Sequence, residues 1–325
     1  MGIIDTLTAG FETAVRKPWL ILIPLLLDLA LLAAPKVSVL PVYDALAAYV
    51  QDVAAETAEG AGAANVASAA EQLDLLRPLA EEFNLLSLLS VNRLLLPSVA
   101  SLRPIDAAHD EVIGVTAPRQ GVGMAVVLVG LGLFVACCYW TLLAQQARRE
   151  RNNLRELGHQ VPVFWLRTVA VGGIVLAGLL GLFGVGTFLV LAAQVFALLG
   201  AGGLTQVVMV LVMSGMWLLA LWVIFYAFYV PQAITLAEAG PVAALQQSFL
   251  VVRSSFRQAL GLFALVNVIS AGLGYLWGLL MGTTAGTVGA IVANAFIGTG
   301  LMAALFIFFR DRIIALHQAQ MMARG

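Results

Sequence analysis

Residues 121–156 read GVGMAVVLVGLGLFVACCYWTLLAQQARRERNNLRE, an apolar run over 121–144 that ends abruptly in a cluster of arginines. An α-helix needs about 20 apolar residues to cross about 30 Å of hydrocarbon. Arginine is expelled from that layer, so the cluster marks where the helix leaves the lipid. Composition agrees: 61% of the 325 residues are hydrophobic and 11% charged, against roughly 45–50% and about 25% in ordinary soluble domains. A chain this apolar has too little polar surface to cover itself with, and its solvent is partly lipid.

Working outward, the same pattern recurs over residues 168–199, 205–230, 258–281 and 287–309. A further run, PWLILIPLLLDLALLAAP over 18–35, follows Arg16 and Lys17. It is near the lower limit for a span. Asp28 interrupts it and its Ala-rich end lacks a small-x-small cleavage site, so it reads as a retained span rather than a signal peptide. The expected fold class is therefore all-α: a polytopic transmembrane helical bundle of six spans, with interfacial helices and a helical extracytoplasmic cap.

Basic residues set the expected orientation, because cytoplasmic loops carry the excess of Lys and Arg. Arg16 and Lys17, then Arg148, Arg149, Arg151, Arg155 and Arg167, then Arg253 and Arg257, then Arg310, Arg312 and Arg324 all fall on one side if there are six spans. The connections at 200–203 and 282–286 are uncharged. Residues 36–120 fall on the opposite side, with eleven acidic residues against five basic ones. The predicted location is the cytoplasmic (inner) membrane of a bacterium, with both termini in the cytoplasm. Three parts are expected: 1–35, an interfacial helix and the first span; 36–120, the cap; and 121–325, a five-span bundle with cytoplasmic interfacial helices.

Within the cap, TAEGAGAANVASAA over 57–70 separates two helical patterns. Tyr43, Leu46, Ala47 and Val50 share one helical face, and Leu73, Leu76, Leu79, Ala80 and Phe83 share another. The stretch FNLLSLLSVNRLLLPSVASL over 83–102 is apolar, but Arg93 at its centre costs about 2.5–3.5 kcal/mol on insertion scales and Pro97 breaks it. An interfacial or re-entrant helix pair is the expectation there. Cytoplasmic segments 2–16, 148–164 and 240–255 each precede an outward-going span, and Arg16 with Trp19 matches Arg253 with Phe256 in spacing. The chain thus reads as three helical hairpins, each introduced by an interfacial helix.

Few residues offer chemistry. Asp28 is the one acidic residue well inside a predicted span, and an intramembrane carboxyl is either a proton or cation relay or a hydrogen-bonded tie between helices. Asn267 and Asn294 lie in the fifth and sixth predicted spans and would form a polar cluster with Asp28 if those spans adjoin the first. Gly274, Gly278, Gly282 and Gly286, and Gly178, Gly181 and Gly184, have spacings that let helices approach closely. Cys137 and Cys138 are adjacent within a span and read as packing, and His109, His159 and His317 lack ligand spacing. No catalytic residue, metal ligand or cofactor is expected, and a formal charge of -1 without a basic patch argues against nucleic acid.

Residues 231–256, PQAITLAEAGPVAALQQSFLVVRSSF, carry Pro231, Glu238, Gly240, Ala244, Leu245, Ser248 and Arg253 in a pattern of span, Pro, acidic residue, Gly and amphipathic helix. With the ending FFRDRIIAL from Phe308, this resembles bacterial polytopic families such as the membrane domain of glycerophosphoryl diester phosphodiesterases and related uncharacterised membrane proteins. The resemblance covers about the last third and implies a membrane fold. In those phosphodiesterases the chemistry belongs to a separate soluble barrel with a His-Arg-Gly type motif, which this chain lacks, so no hydrolase activity is implied. The expected role is a non-enzymatic integral membrane protein that scaffolds, assembles or regulates a membrane-protein partner or a second copy within the lipid bilayer. The competing expectation is a transporter or lipid-handling protein with a polar site around Asp28.

Overall fold

The computed structural model describes residues 2–56, 63–90, 96–101, 112–148, 154–198 and 202–322. Arg93, His109, Arg149, Arg151 and Arg324 lie outside the described residues, as does part of the small-residue break at 57–62. The helices are α1 (Ile3–Arg16), α2 (Leu22–Ala33), α3 (Leu40–Glu56), α4 (Ala63–Glu82), α5 (Pro118–Ala147), α6 (Leu154–Leu198), α7 (Gly202–Ala227), α8 (Val230–Leu236), α9 (Pro241–Ser254), α10 (Phe256–Leu280) and α11 (Thr284–Met322). Short 3-10 turns occupy Pro18–Ile21, Leu85–Ser90 and Val99–Ser101, and two strands, β1 (Lys36–Ser38) and β2 (Val112–Gly114), pair in parallel.

Five helical segments are long and apolar enough to cross a membrane: Pro118–Ala147, Leu157–Val195, Thr205–Leu236, Phe256–Leu280 and Thr284–Ala319. The protein is a helical, multi-pass membrane protein. Within the last segment 72% of the apolar window is buried, against 11–22% in the other four. The apolar windows of the other four are mostly exposed, as the faces of lipid-facing helices are. The first apolar segment is shorter, with four residues of 3-10 helix followed by twelve of α-helix. Its reach is about 26 Å, because the 3-10 turn rises about 2.0 Å per residue.

Two expectations need correction. Residues 148–164 do not form a separate interfacial helix, because α6 runs unbroken from Leu154 with Pro162 inside it. A proline removes one N–H and crowds the carbonyl four residues earlier; here that residue is Gly158, around which a Cβ would meet nothing, so there is room for the carbonyl to tilt outward. At 45 residues α6 is about 67 Å long and α11, at 39, about 58 Å. Both exceed a bilayer. The other two introducing helices are separate, and their junctions match: α1 gives way at Lys17 (φ -131°, ψ 63°) and α9 at Ser255 (φ -128°, ψ 39°).

The second correction concerns glycine. A Cβ added at Gly178, Gly181, Gly184 or Gly282 would meet nothing among the described residues, so these four bring no described helices together. Close approach occurs elsewhere. A Cβ at Gly10 would strike the Gly300 carbonyl and lie 2.6 Å from Ala304 N, and one at Gly298 would collide with Pro97.

Packing divides the chain into two units. One comprises Leu7–Tyr139 and Ala264–Ala304. In it Val99, Trp277, Ala290 and Ile291 form one buried cluster, packed against Leu25, Leu29 and Leu32 of α2, and Val37, Leu85, Val115 and Leu128 form another. The Asn84 side chain accepts from Val37 N–H and Leu86 N–H at 3.1 Å each, fixing β1 to the turn at Leu85–Ser90. α3 and α4 pair through Tyr43, whose hydroxyl donates to the Leu73 carbonyl, and leave Leu46, Leu76 and Leu79 about half or more exposed. The second unit comprises Met1–Thr6, Trp140–Phe263 and Leu305–Gly325. There α6 lies along α7, and α9 folds back on α6, α7 and α8.

Gly10→Ala must displace backbone and is expected to cost about 1–3 kcal/mol, read as a clear drop in melting temperature in detergent. Gly181→Ala fills open space and should leave melting unchanged or raise it slightly, since Ala favours helix over Gly by up to about 1 kcal/mol.

Candidate functional site

Asp28 is fully buried on α2. Its Oδ1 accepts from the Ser98 hydroxyl and its Oδ2 from Val99 N–H at 2.8 Å. These donors open the 3-10 turn Val99–Ser101, so the carboxyl caps from another segment a turn whose first N–H groups have no partner of their own. Leu96, Ser98 and Val99 are all at most 1% exposed. Pro97 abuts Gly298 of α11. The segment 96–101 is thus wedged between α2 and α11, and Asp28 is the group that satisfies its backbone there.

Asn267 and Asn294, expected to join Asp28, lie in the same unit as it. Asn294, 4% exposed, accepts at Oδ1 from Trp277 Nε1 at 3.1 Å, linking α11 to α10. Asn267 is half-buried on α10. Asp28 and Asn294 border the same apolar cluster through their partners Val99 and Trp277. Ser98 was not singled out from sequence, although a serine after a proline and before a short turn is the usual signal of a helix start.

Residues 226–248, with Arg148 and Arg167, build a second polar centre. α7 ends at Ala227 and α8 begins at Val230, with Pro231 in the first turn, where a missing N–H costs nothing. Ser248 of α9, fully buried, closes this break: its hydroxyl donates to the Tyr226 carbonyl at 2.6 Å and accepts from Tyr229 N–H at 3.1 Å. α8 ends at Leu236, and two residues on Glu238 holds φ 53°, a left-handed conformation that side chains with a Cβ rarely adopt. Two arginines fix this end. Arg148 donates to the carbonyls of Thr235 (2.9 Å) and Leu236 (2.7 Å) and to the Glu238 carboxylate (3.1 Å), and Arg167 donates to the Glu238 carbonyl (2.5 Å). Arg310 likewise donates to the last carbonyl of α5, Ala147, at 2.7 Å while pairing with Asp311.

Arg148 and Arg310 border an open cleft of about 770 Å³ that Gln247, Asp311 and His317 also line. Its guanidinium groups are committed to helix-end carbonyls, so the cleft is held open by structure rather than presenting a free anion site. Among the described residues the buried oxygens of Gln145, Gln232 and Tyr229 have no hydrogen-bond partner. No group of three or more His, Cys, Asp or Glu suited to a metal occurs among the described residues. No family model, curated protein or solved structure matches the chain.

Ser248→Ala strands the Tyr226 carbonyl and Tyr229 N–H in a dry site and is expected to cost about 1–3 kcal/mol. Thermal unfolding in detergent should register this as a marked loss, whereas Ser254→Ala, which removes a hydroxyl bonded only to its own helix at 3.2 Å, should change little.

Proposed function

We infer that the chain is a six-span protein of the cytoplasmic membrane with both ends in the cytoplasm, and that it works as a non-enzymatic scaffold, assembly or regulatory partner. The first apolar segment, at about 26 Å, is the sixth span, completed by the wedge of residues 96–101 beside it. Residues 36–120 form the extracytoplasmic cap, in which the outward faces of Leu46, Leu76 and Leu79 are available to membrane or partner. The resemblance of residues 231–256 to a bacterial polytopic family supports the fold and carries no activity.

The observation behind this reading is the state of Asp28. A relay carboxyl must exchange its partners during transport, and it is most useful beside a polar path. Asp28 instead receives donors on both oxygens from a buried turn. The arginines Arg148, Arg167 and Arg310 are likewise engaged with backbone. These polar groups serve the chain's architecture.

Vesicles loaded with a pH-sensitive dye separate this from the transport alternative. Under the scaffold reading, Asp28→Asn keeps an oxygen for Val99 N–H and an amide for the Ser98 hydroxyl, so proton uptake equals that of the wild type and melting changes little. Asp28→Ala loses both bonds and about 1–3 kcal/mol of stability. Wild-type vesicles that take up protons, with uptake abolished in a well-folded Asp28→Asn, would overturn the scaffold reading in favour of a transporter.

A further inference from the structure

An apolar cleft of about 630 Å³ opens between α6, α7 and α9, within the range of about 300–1,000 Å³ that holds small ligands. Trp222, Tyr226 and Phe249 form one wall, part of a longer row of rings that includes Phe256. Phe256 stacks on Trp222 (centroids 5.9 Å apart, planes 21° apart), Trp222 on Tyr226 (5.8 Å, 27°), and Tyr226 meets Phe249 at 4.8 Å. Leu219, Val223 and Leu250 add aliphatic surface, each about half exposed. The cleft is pre-formed, because the hydroxyl of Ser248 fixes α9 to the end of α7.

Just beyond these residues the chain becomes basic. Arg253 lies one turn after Phe249 and Leu250 on the same face of α9, and Arg257 follows Phe256, whose ring stacks on Trp222. Both arginines are exposed, and among the described residues neither has an acidic or carbonyl partner. This separates them from Arg148, Arg167 and Arg310, which are held by helix-end carbonyls. Trp and Tyr beside free arginine are the side chains that favour the headgroup level of a bilayer.

We propose that this cleft is a binding site for an anionic phospholipid, with an acyl chain against the Trp222, Tyr226 and Phe249 row and the phosphate held by Arg253 and Arg257. An apolar cleft alone accepts any acyl chain; the free cations make an anionic headgroup the complementary one, since guanidinium binds phosphate by paired, charge-assisted hydrogen bonds. The site rests on the chain being a membrane protein and is independent of its scaffold role.

The test is native mass spectrometry of the full chain from detergent micelles holding equal amounts of phosphatidylglycerol and phosphatidylcholine, with flotation on vesicles as a separate check of membrane insertion. Wild type is expected to retain phosphatidylglycerol over phosphatidylcholine by about fivefold or more, the effect of roughly one arginine at an anionic surface. Arg253→Gln with Arg257→Gln, both surface changes, should bring the two lipids to near parity. Val223→Trp fills the cleft from an exposed position and should reduce retention of both lipids. Equal retention by the wild type, an unchanged preference in the double variant, or unchanged retention in a Val223→Trp protein that elutes like the wild type would overturn the site. A protein that floats yet shows no preference loses the lipid site alone, whereas one that fails to float loses the membrane reading.

Discussion

Hydrocarbon offers no hydrogen bonds, so any backbone that leaves regular helix within it must find its partners inside the protein. The two hydrogen bonds that Asp28 accepts from Ser98 and Val99 meet that demand at the irregular segment 96–101. Without them a turn could not lie buried between α2 and α11, and Gly298 would have no reason to admit Pro97. A buried carboxyl is costly to desolvate, and it becomes tolerable when its oxygens accept well-placed donors. Each half of the arrangement makes the other stable, which ties α2 to α11 through the segment 96–101.

The same rule explains the corner from Tyr226 to Ser255. α7, α8 and α9 follow one another with almost no loop, and every interruption exposes carbonyls or N–H groups. Ser248 meets those of the α7–α8 junction, and Arg148 and Arg167 meet those at the end of α8, where Glu238 takes a left-handed turn. Arginine suits this task because its fork reaches several carbonyls at once and its charge complements the negative end of a helix. Among the described residues, Arg148, Arg167 and Arg310 close helix ends, whereas Arg253 and Arg257 have no acidic or carbonyl partner there.

The spans were legible because length and apolar content are local properties. Residues 118–147 and 256–280 needed only the run of apolar residues and its charged ends. The break between α9 and α10 was also legible, through Arg253 and the aromatic that follows, and its match to the junction at Lys17 extends from sequence spacing to backbone angles. What failed was inference from residue type to contact. Glycine spacing at 178, 181 and 184 suggested packing, yet close approach falls at Gly10 and Gly298, because which face of a helix is covered depends on partners distant in sequence. For the same reason Asp28 was recognisable as unusual while Ser98, seventy residues away, was not.

The pattern of residues 231–256 ends up describing a piece of architecture. Pro231 starts a helix, Glu238 and Gly240 turn the chain, Ala244 leaves room for a fully buried contact, and Ser248 closes the neighbouring break. Each of these residues acts on the backbone, and a pattern of that kind is tied to a helix corner rather than to a substrate. Leu245 and Arg253 stand outside that account: Leu245 lines the apolar cleft, and Arg253 is exposed on α9 with no partner among the described residues. Residues of the pattern that folding does not explain are the ones whose role lies in what the protein meets in the membrane.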